Sequence, residues 1–200
     1  MKKILHIISS PRGGASISIK LGNAIVDKIK AKYPGSTVNT KDLAKVPFPH
    51  MEEAYLTSIF TPAESRTPEN IEAIKHSDTA IEEVQNADII VIGVPFYNFS
   101  IPSTLKAWID HITRAGLSFS YGANGPEGLI KGKKIYLAIA SGGVYSEGPM
   151  LSADFAEPYL KFMLGFLGMT NVSTFRIEGL KVPGVMETAV EKGLKSIAID

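Results

Sequence analysis

Short apolar runs alternate along this chain with longer stretches of helical periodicity. Ile4 to Ile8 reads as a first strand that passes into a small-residue loop, Ser9 to Ser18. Ile17, Leu21, Ala24, Ile25 and Ile29 then recur at helical spacing, which predicts an amphipathic helix from Ser16 to about Lys32, ended by Pro34-Gly35. A second strand is expected over Ser36 to Thr40, where Thr37, Val38 and Thr40 favour extension. The run from Asp88 to Val94 is apolar at successive positions, the pattern of a parallel strand covered on both faces, with Pro95 as its stop. Leu105, Trp108, Ile109 and Ile112 lie at i, i+3, i+4 and i+7 in a helix opened by Pro102. A fourth strand is expected over Ile135 to Ala140, and a fifth over Val172 to Ile177. Between them a helix is predicted from Asp154 to Met169, with Phe155, Tyr159, Phe162, Met163 and Phe166 on one side, and Val185 to Ile199 forms a closing helix. The connection from Lys41 to Ala87 is long. It carries Pro47, Pro49, Pro62 and Pro68 and then a helix over Thr67 to Gln85, and it reads as an insertion at about 41–87 within one domain spanning 1–200.

Strands separated by helices predict the α/β class: a doubly wound five-stranded parallel sheet with helices on both faces. Right-handed crossovers place the loops after the strands on one edge, where ligands bind near the switch point in strand order. The loops after strands one, three and four are therefore expected to converge.

Composition narrows the functional classes. The net charge is +1, with 20% charged residues and no basic stripe or acidic run, which argues against nucleic acid and polybasic membrane docking. There are no cysteines, so disulfides, thiolate nucleophiles and Cys-ligated metals are excluded. The apolar run after Met1-Lys2-Lys3 is too short for a signal sequence, and no stretch approaches membrane-spanning length; the expected location is cytoplasmic. His6 is expected as a packed core residue, and His50, His76 and His111 lack metal-ligand spacing, so no metal site is expected.

The three converging loops carry the candidate chemistry. Ser9-Ser10-Pro11-Arg12-Gly13-Gly14-Ala15-Ser16-Ile17-Ser18 joins a strand to a helix N-terminus, where backbone N–H groups and the helix dipole favour an anion. It lacks the Gly-Lys-Ser/Thr of a P-loop and the Gly-x-Gly-x-x-Gly of a dinucleotide fold, and its serines suit a terminal phosphomonoester. An ordinary strand-to-helix turn capped by Ser16 is the plainer alternative. After strand three, Phe96, Tyr97 and Phe99 place three aromatics in four loop residues, as a stacked planar ligand would require, and Asn98 offers a donor and an acceptor to a heterocycle edge. After strand four, Ala140-Ser141-Gly142-Gly143 allows close backbone approach, and Tyr145 follows. The turn-rich segment from Phe119 to Gly128, with Tyr121, suits a rim or lid, or a plain surface hairpin.

Taken together, Ser9-Ser10 with Ser16 and Ser18, Pro95-x-Tyr97-Asn98-Phe99, Arg114-Ala115-Gly116 with Phe119-x-Tyr121, Asn124-Gly125-Pro126-Glu127-Gly128-Leu129, Gly142-Gly143 and Gly165-Phe166-Leu167-Gly168 resemble the FMN-dependent NADH-azoreductase family over nearly the whole chain. The resemblance implies a flavodoxin-like fold, a homodimer, and one non-covalent FMN per subunit. It also implies ping-pong transfer of two electrons from NADH or NADPH to quinones and aromatic azo compounds. It assigns FMN binding to Ser10, Ser16, Ile17 and Ser18, to Phe96, Tyr97, Asn98 and Phe99, and to Ala140, Ser141, Gly142 and Gly143. Phe119, Tyr121, Tyr145 and Phe162 are the expected substrate-side residues, and no side chain need act as acid or base on the flavin. Many members carry Met in place of Phe96, a polar residue in place of Ala140 and Arg in place of Ser141, and some have His in place of Tyr145. These departures bear on flavin environment and substrate preference. The competing reading is a flavodoxin-type electron carrier without substrate turnover; the near-neutral charge and the long insertion stand against it.

Overall fold

In the computed structural model, which describes residues 1–200, the apolar runs become strands β1 (Lys3–Ile8), β2 (Thr37–Asp42), β3 (Ile89–Pro95), β6 (Lys134–Ala140) and β7 (Asn171–Ile177). These form one parallel sheet in the order β2-β1-β3-β6-β7. Counting sheet strands alone this is 2-1-3-4-5, the flavodoxin-like doubly wound order, with its switch point between β1 and β3.

The pleat explains how one strand feeds two cores. Ile90, Ile92 and Val94 of β3, with Leu5, Ile7, Leu137 and Ile139, join the core under helices α3 (Pro68–Asn86), α4 (Ser103–Ile112) and α5 (Glu157–Phe166). Ile89, Val91, Ile4, Tyr136 and Ala138 point the other way, onto α1 (Ile17–Lys32) and α6 (Met186–Lys195). Leu105, Trp108, Ile109 and Ile112 are all fully buried, as their spacing in the sequence predicts, each worth roughly 1.5–3 kcal/mol of burial. No helix is long and apolar enough to cross a membrane.

Several boundaries differ from expectation. Pro95 does not stop β3 but is its last ladder residue, opposite Ala140; a proline is tolerated where the pairing ends. The long connection divides in two. Its later half is α3, the crossover helix that parallel β1 and β3 require, with a Thr67–Asn70 capping box ahead of Pro68. Its earlier half carries the short helix α2 (Glu53–Phe60). That half is tied down by a buried polar set: Tyr55 donates to Ser77 at 3.4 Å, Arg114 donates to Ser77 at 3.1 Å and pairs with Asp78, and His111 Nε2 meets the Pro49 carbonyl at 3.0 Å.

The helix predicted over 154–169 is only Glu157–Phe166, and its aromatic stripe is not its buried face. Leu160 and Leu164, continued by Leu167, enter the core, whereas Phe162 is 71% exposed and Phe155, ahead of the helix, is 60% exposed. Two stripes compete on this helix, and the branched aliphatic one joins the closely packed core shared with α3 and α4. The turn-rich segment is an antiparallel hairpin, β4 (Phe119–Gly122) with β5 (Gly125–Gly128). Gly128 presses so closely on Leu167 and Gly168 that an added Cβ would lie 2.1 Å from the Gly168 nitrogen.

His6 is a core residue. Gly22 makes its room, since a Cβ there would lie 2.8 Å from His6 Nε2, and that nitrogen has no hydrogen-bond partner. Burial lowers its pKa from 6.5 to about 4. Between those values the unfolded chain binds a proton that the folded chain does not, so stability falls as pH drops through that window. The expected loss from this one group between pH 7 and pH 5 is ~2 kcal/mol. Urea unfolding at both pH values should show that extra loss in the parent and not in His6→Leu; parallel losses in the two proteins would clear His6 of the effect.

Candidate functional site

The loop after β1 is placed by small residues. Ser9 Oγ donates to the Gly93 carbonyl at 2.7 Å, and Gly93 itself lies so near that an added Cβ would sit 3.4 Å from the Ile7 carbonyl and 3.5 Å from that of Ser18. The first turn of α1 thus lies in van der Waals reach of β3 at the switch point. Ser16 caps α1, accepting from the Ile19 amide at 3.4 Å, and its hydroxyl lies 3.0 Å from that of Ser18. The amides of Ile17 and Ser18 have no acceptor within the chain. Both the plain cap and the anion cradle are thus present in the same residues, and Ser10, Ser16 and Ser18 are all buried.

The loop after β3 is a tight hairpin. Tyr97 and Ser100 exchange both backbone hydrogen bonds, at 3.0 and 2.9 Å, and the two corner residues have positive φ, 47° at Asn98 and 68° at Phe99. This is the backbone of a type I′ turn, in which Asn is common at the first corner and Gly at the second. A phenylalanine at the second corner costs roughly 1–3 kcal/mol of strain, and its ring is 46% exposed. A strained, exposed aromatic is a candidate ligand contact. Phe96 faces inward and packs on the α3/α4/α5 core while also reaching the cleft.

After β6, Ser141 Oγ donates to the Gly143 carbonyl at 2.8 Å and shapes the glycine turn. A Cβ on Gly143 would lie 3.0 Å from the Tyr145 ring, and one on Gly142 3.2 Å from the Lys181 side chain. Tyr145 lies over Phe96 with ring centroids 4.3 Å apart and reaches Phe99 edge-on at 6.2 Å.

These three loops line one cleft of about 790 Å³. Ser10, Ser16, Ile17 and Ser18 form one end of its lining, Phe96, Tyr97, Asn98 and Phe99 supply the aromatic segment, and Ala140, Ser141, Gly142, Gly143 and Tyr145 supply the rest of the set expected from sequence. Three of the predicted substrate-side residues do not line it. Phe119 is buried against Phe166 at 4.7 Å, while Tyr121 and Phe162 are exposed elsewhere on the surface. They follow the β4–β5 hairpin and α5, which pack on each other rather than over the cleft. Leu180, Lys181 and Val182 were missed. They follow β7 and dock on the glycine turn through Lys181 N–H to Gly142 at 2.8 Å and Gly179 N–H to Gly143 at 2.9 Å. The rule that gathers the other loops applies equally to the fifth strand and would have found them.

The donor set fits a phosphorylated planar heterocycle such as FMN. Unpaired helix amides and buried hydroxyls stand at one end, Arg12 and Lys181 are the only charged groups in the lining, and there is no carboxylate. Aromatic faces and a glycine turn without Cβ atoms complete it.

The family model described as flavodoxin-like fold matches residues 2–198. An FMN-dependent NADH:quinone oxidoreductase from Mesorhizobium japonicum is 46% identical over 195 residues, covering 97% of this chain and 93% of that protein. The solved azoreductase from Bacillus anthracis str. Sterne superposes with a TM-score of 0.90 at 36% identity, covering 98% of this chain and 96% of that one. An FMN-dependent NADH-azoreductase from Bacillus anthracis str. Ames Ancestor, solved in complex with FMN, gives 0.86 at 27% identity, covering 98% and 97%. The chain therefore belongs to the flavodoxin-like fold family. Within it, the chain belongs to the FMN-dependent NADH:quinone oxidoreductases and azoreductases.

Phe99→Gly should relieve the left-handed strain at the cost of the buried half of the side chain. An increase of about 0.5–1 kcal/mol in unfolding free energy is expected by urea titration of the flavin-free protein. A decrease would mean that packing of the ring outweighs its backbone strain.

Proposed function

We propose that this chain is an FMN-dependent NADH:quinone oxidoreductase that also reduces aromatic azo compounds, with FMN held non-covalently in the cleft between the three loops. One observation carries the reading: a phosphate cradle, an aromatic segment and a glycine turn share one cleft at the switch point of the sheet. The relatives' names support an enzyme over a carrier without turnover.

When bound, FMN supplies two-electron transfer between a nicotinamide and a quinone. The chain's own residues bind and orient. The hydroxyls of Ser10, Ser16 and Ser18 and the amides of Ile17 and Ser18 would hold the phosphate, aided by the α1 dipole and the Arg12 charge. Phe96, Tyr97, Asn98 and Phe99 would hold the ring system and exclude water beside it. Ala140, Ser141, Gly142 and Gly143 would line its edge, and the amides of Gly142 and Gly143, which have no acceptor within the chain, would offer N–H groups to negative charge there. Tyr145 stands over Phe96 at the mouth, on the substrate side. The same mouth serves nicotinamide and acceptor in turn, which is the basis of a ping-pong order. Azo cleavage to two amines takes four electrons, hence two turnovers, and quinones are the primary acceptors.

The working form is a cytoplasmic homodimer in this reading. Phe60, Tyr121, Phe155 and Phe162 are 60 to 82% exposed in the single chain, more large apolar surface than a lone subunit ordinarily leaves in water.

Two outcomes test the assignment. The purified protein with FMN should be yellow, bleach on anaerobic addition of NADH and regain colour with benzoquinone; a yellow protein that NADH leaves unchanged would return the carrier reading. Ser18→Ala should weaken FMN about tenfold by fluorescence titration, since a hydroxyl bonded to a charged phosphate contributes ~1.5 kcal/mol, with the loss of the buried Ser16–Ser18 hydrogen bond read separately by urea unfolding of the flavin-free protein. Unchanged affinity would place the phosphate elsewhere.

A further inference from the structure

β7 runs out through Arg176 and Glu178, neither of which lines the cleft. The Arg176 side chain is 12% exposed and meets three carboxylates. It pairs with Asp154, donates from Nε to Glu157 at 3.1 Å, and holds Nη1 3.7 Å from Glu178. Burial works to raise the Glu157 pKa, but hydrogen bonds from Lys161, Thr174 and Arg176 outweigh it and hold the group at about 2. Glu157 is therefore ionised at neutral pH beside the guanidinium.

Two of these carboxylates reach different walls of the cleft. Glu178 accepts from the Tyr145 amide at 2.9 Å and the Ser146 amide at 3.2 Å, and also from the Ser146 hydroxyl. Asp154 accepts from the amides of Ala156 at 2.9 Å and Glu157 at 3.1 Å, and so shapes the turn that contains Phe155. The Phe155 amide in turn donates to the Phe99 carbonyl at 3.0 Å.

Each wall has a weak point. Phe99 sits in a left-handed turn, and the 3₁₀ segment Gly148–Ala153 that follows Tyr145 has no buried residue. Segments of this kind open locally unless something outside them holds them.

We infer that Arg176 is a positioning residue that couples the two aromatic walls of the mouth, Tyr145 through Glu178 and Phe99 through Asp154 and Phe155. One planar guanidinium fixes where these two aromatics meet edge-on at the mouth, and so the shape that an aromatic substrate encounters there. A lysine has one compact charge and cannot span three carboxylates. The Glu178 arm is the longest of the three contacts and Arg176 Nη1 has no hydrogen-bond partner, so the Tyr145 wall is the softer one. What passes between the walls rests on the flavin-reductase reading; the coupling itself does not.

The test uses the FMN-loaded protein with NADH and benzoquinone. Glu178→Ala leaves the Arg176–Asp154–Glu157 group in place and serves where loss of Arg176 impairs folding. It should raise the quinone KM about 5- to 10-fold with kcat within about 2-fold, the signature of lost binding rather than lost chemistry. In that background Tyr145→Ala should add less than about 2-fold while Phe99→Gly keeps its full effect, because only one wall has been released. In Arg176→Met both should be blunted, and Arg176→Lys should not restore the parent KM. Limited proteolysis within residues 144–156 should run at least about fivefold faster in Glu178→Ala and Arg176→Met, a readout independent of turnover. Full additivity of the wall variants in Arg176→Met, or unchanged proteolysis in Glu178→Ala, would overturn the coupling. A parent protein with no quinone turnover but faster proteolysis in the variants would sink the enzyme assignment and leave the coupling standing.

Discussion

With helices on both faces of the sheet, β3 satisfies its backbone only by pairing with β1 on one side and β6 on the other. Both pairings are parallel. Parallel neighbours need long crossovers, the crossovers are right-handed, and the carboxyl ends of all the strands then share one edge. The continuous apolar run of β3 makes this arrangement stable, because each of its side chains is buried on one face or the other. The cleft is a consequence of that geometry, formed where α1 and the later helices depart to opposite sides.

The site uses small residues and strain where packing would otherwise close it. The Ser9 hydroxyl ties the serine loop to the Gly93 carbonyl, Gly142 and Gly143 leave space beside Lys181 and Tyr145, and Phe99 occupies a backbone conformation that glycine would hold more easily. Ser16 serves as helix cap and cradle together, so the plain and the functional reading of that serine describe one arrangement. The charged group around Arg176 shows that support for the mouth extends to residues that never touch it. The lining holds two cations and no carboxylate, while the acids that order its walls are kept outside.

Local signals were dependable where one force acted alone. The apolar run of β3, the i, i+3, i+4, i+7 stripe of α4 and the Pro68 start of α3 each reflect burial or backbone geometry within a few residues. They were misleading where two forces competed. The aromatic stripe from Phe155 to Phe166 has helical spacing, but the Leu160 and Leu164 stripe took the core, leaving Phe162 on the surface of the single chain. The Phe119–Gly128 segment has the composition of a lid, yet close packing of Gly128 on Gly168 ties the hairpin to the end of α5. The segment 180–182 carries no local mark, since its role comes from backbone bonds to residues nearly forty positions earlier.

The amino-acid sequence by itself determined the class of fold, the strand that centres it, and the three loops whose serines, aromatics and glycines suit a phosphorylated flavin. Those properties follow from periodicity and from side-chain chemistry, which are local. Only the tertiary structure decided which aromatics face the cleft, that the turn at Asn98 and Phe99 is left-handed, and that one guanidinium on β7 stands behind both walls. Those depend on distances between chain segments far apart in sequence, set by competition among stripes and turns for the same packed space.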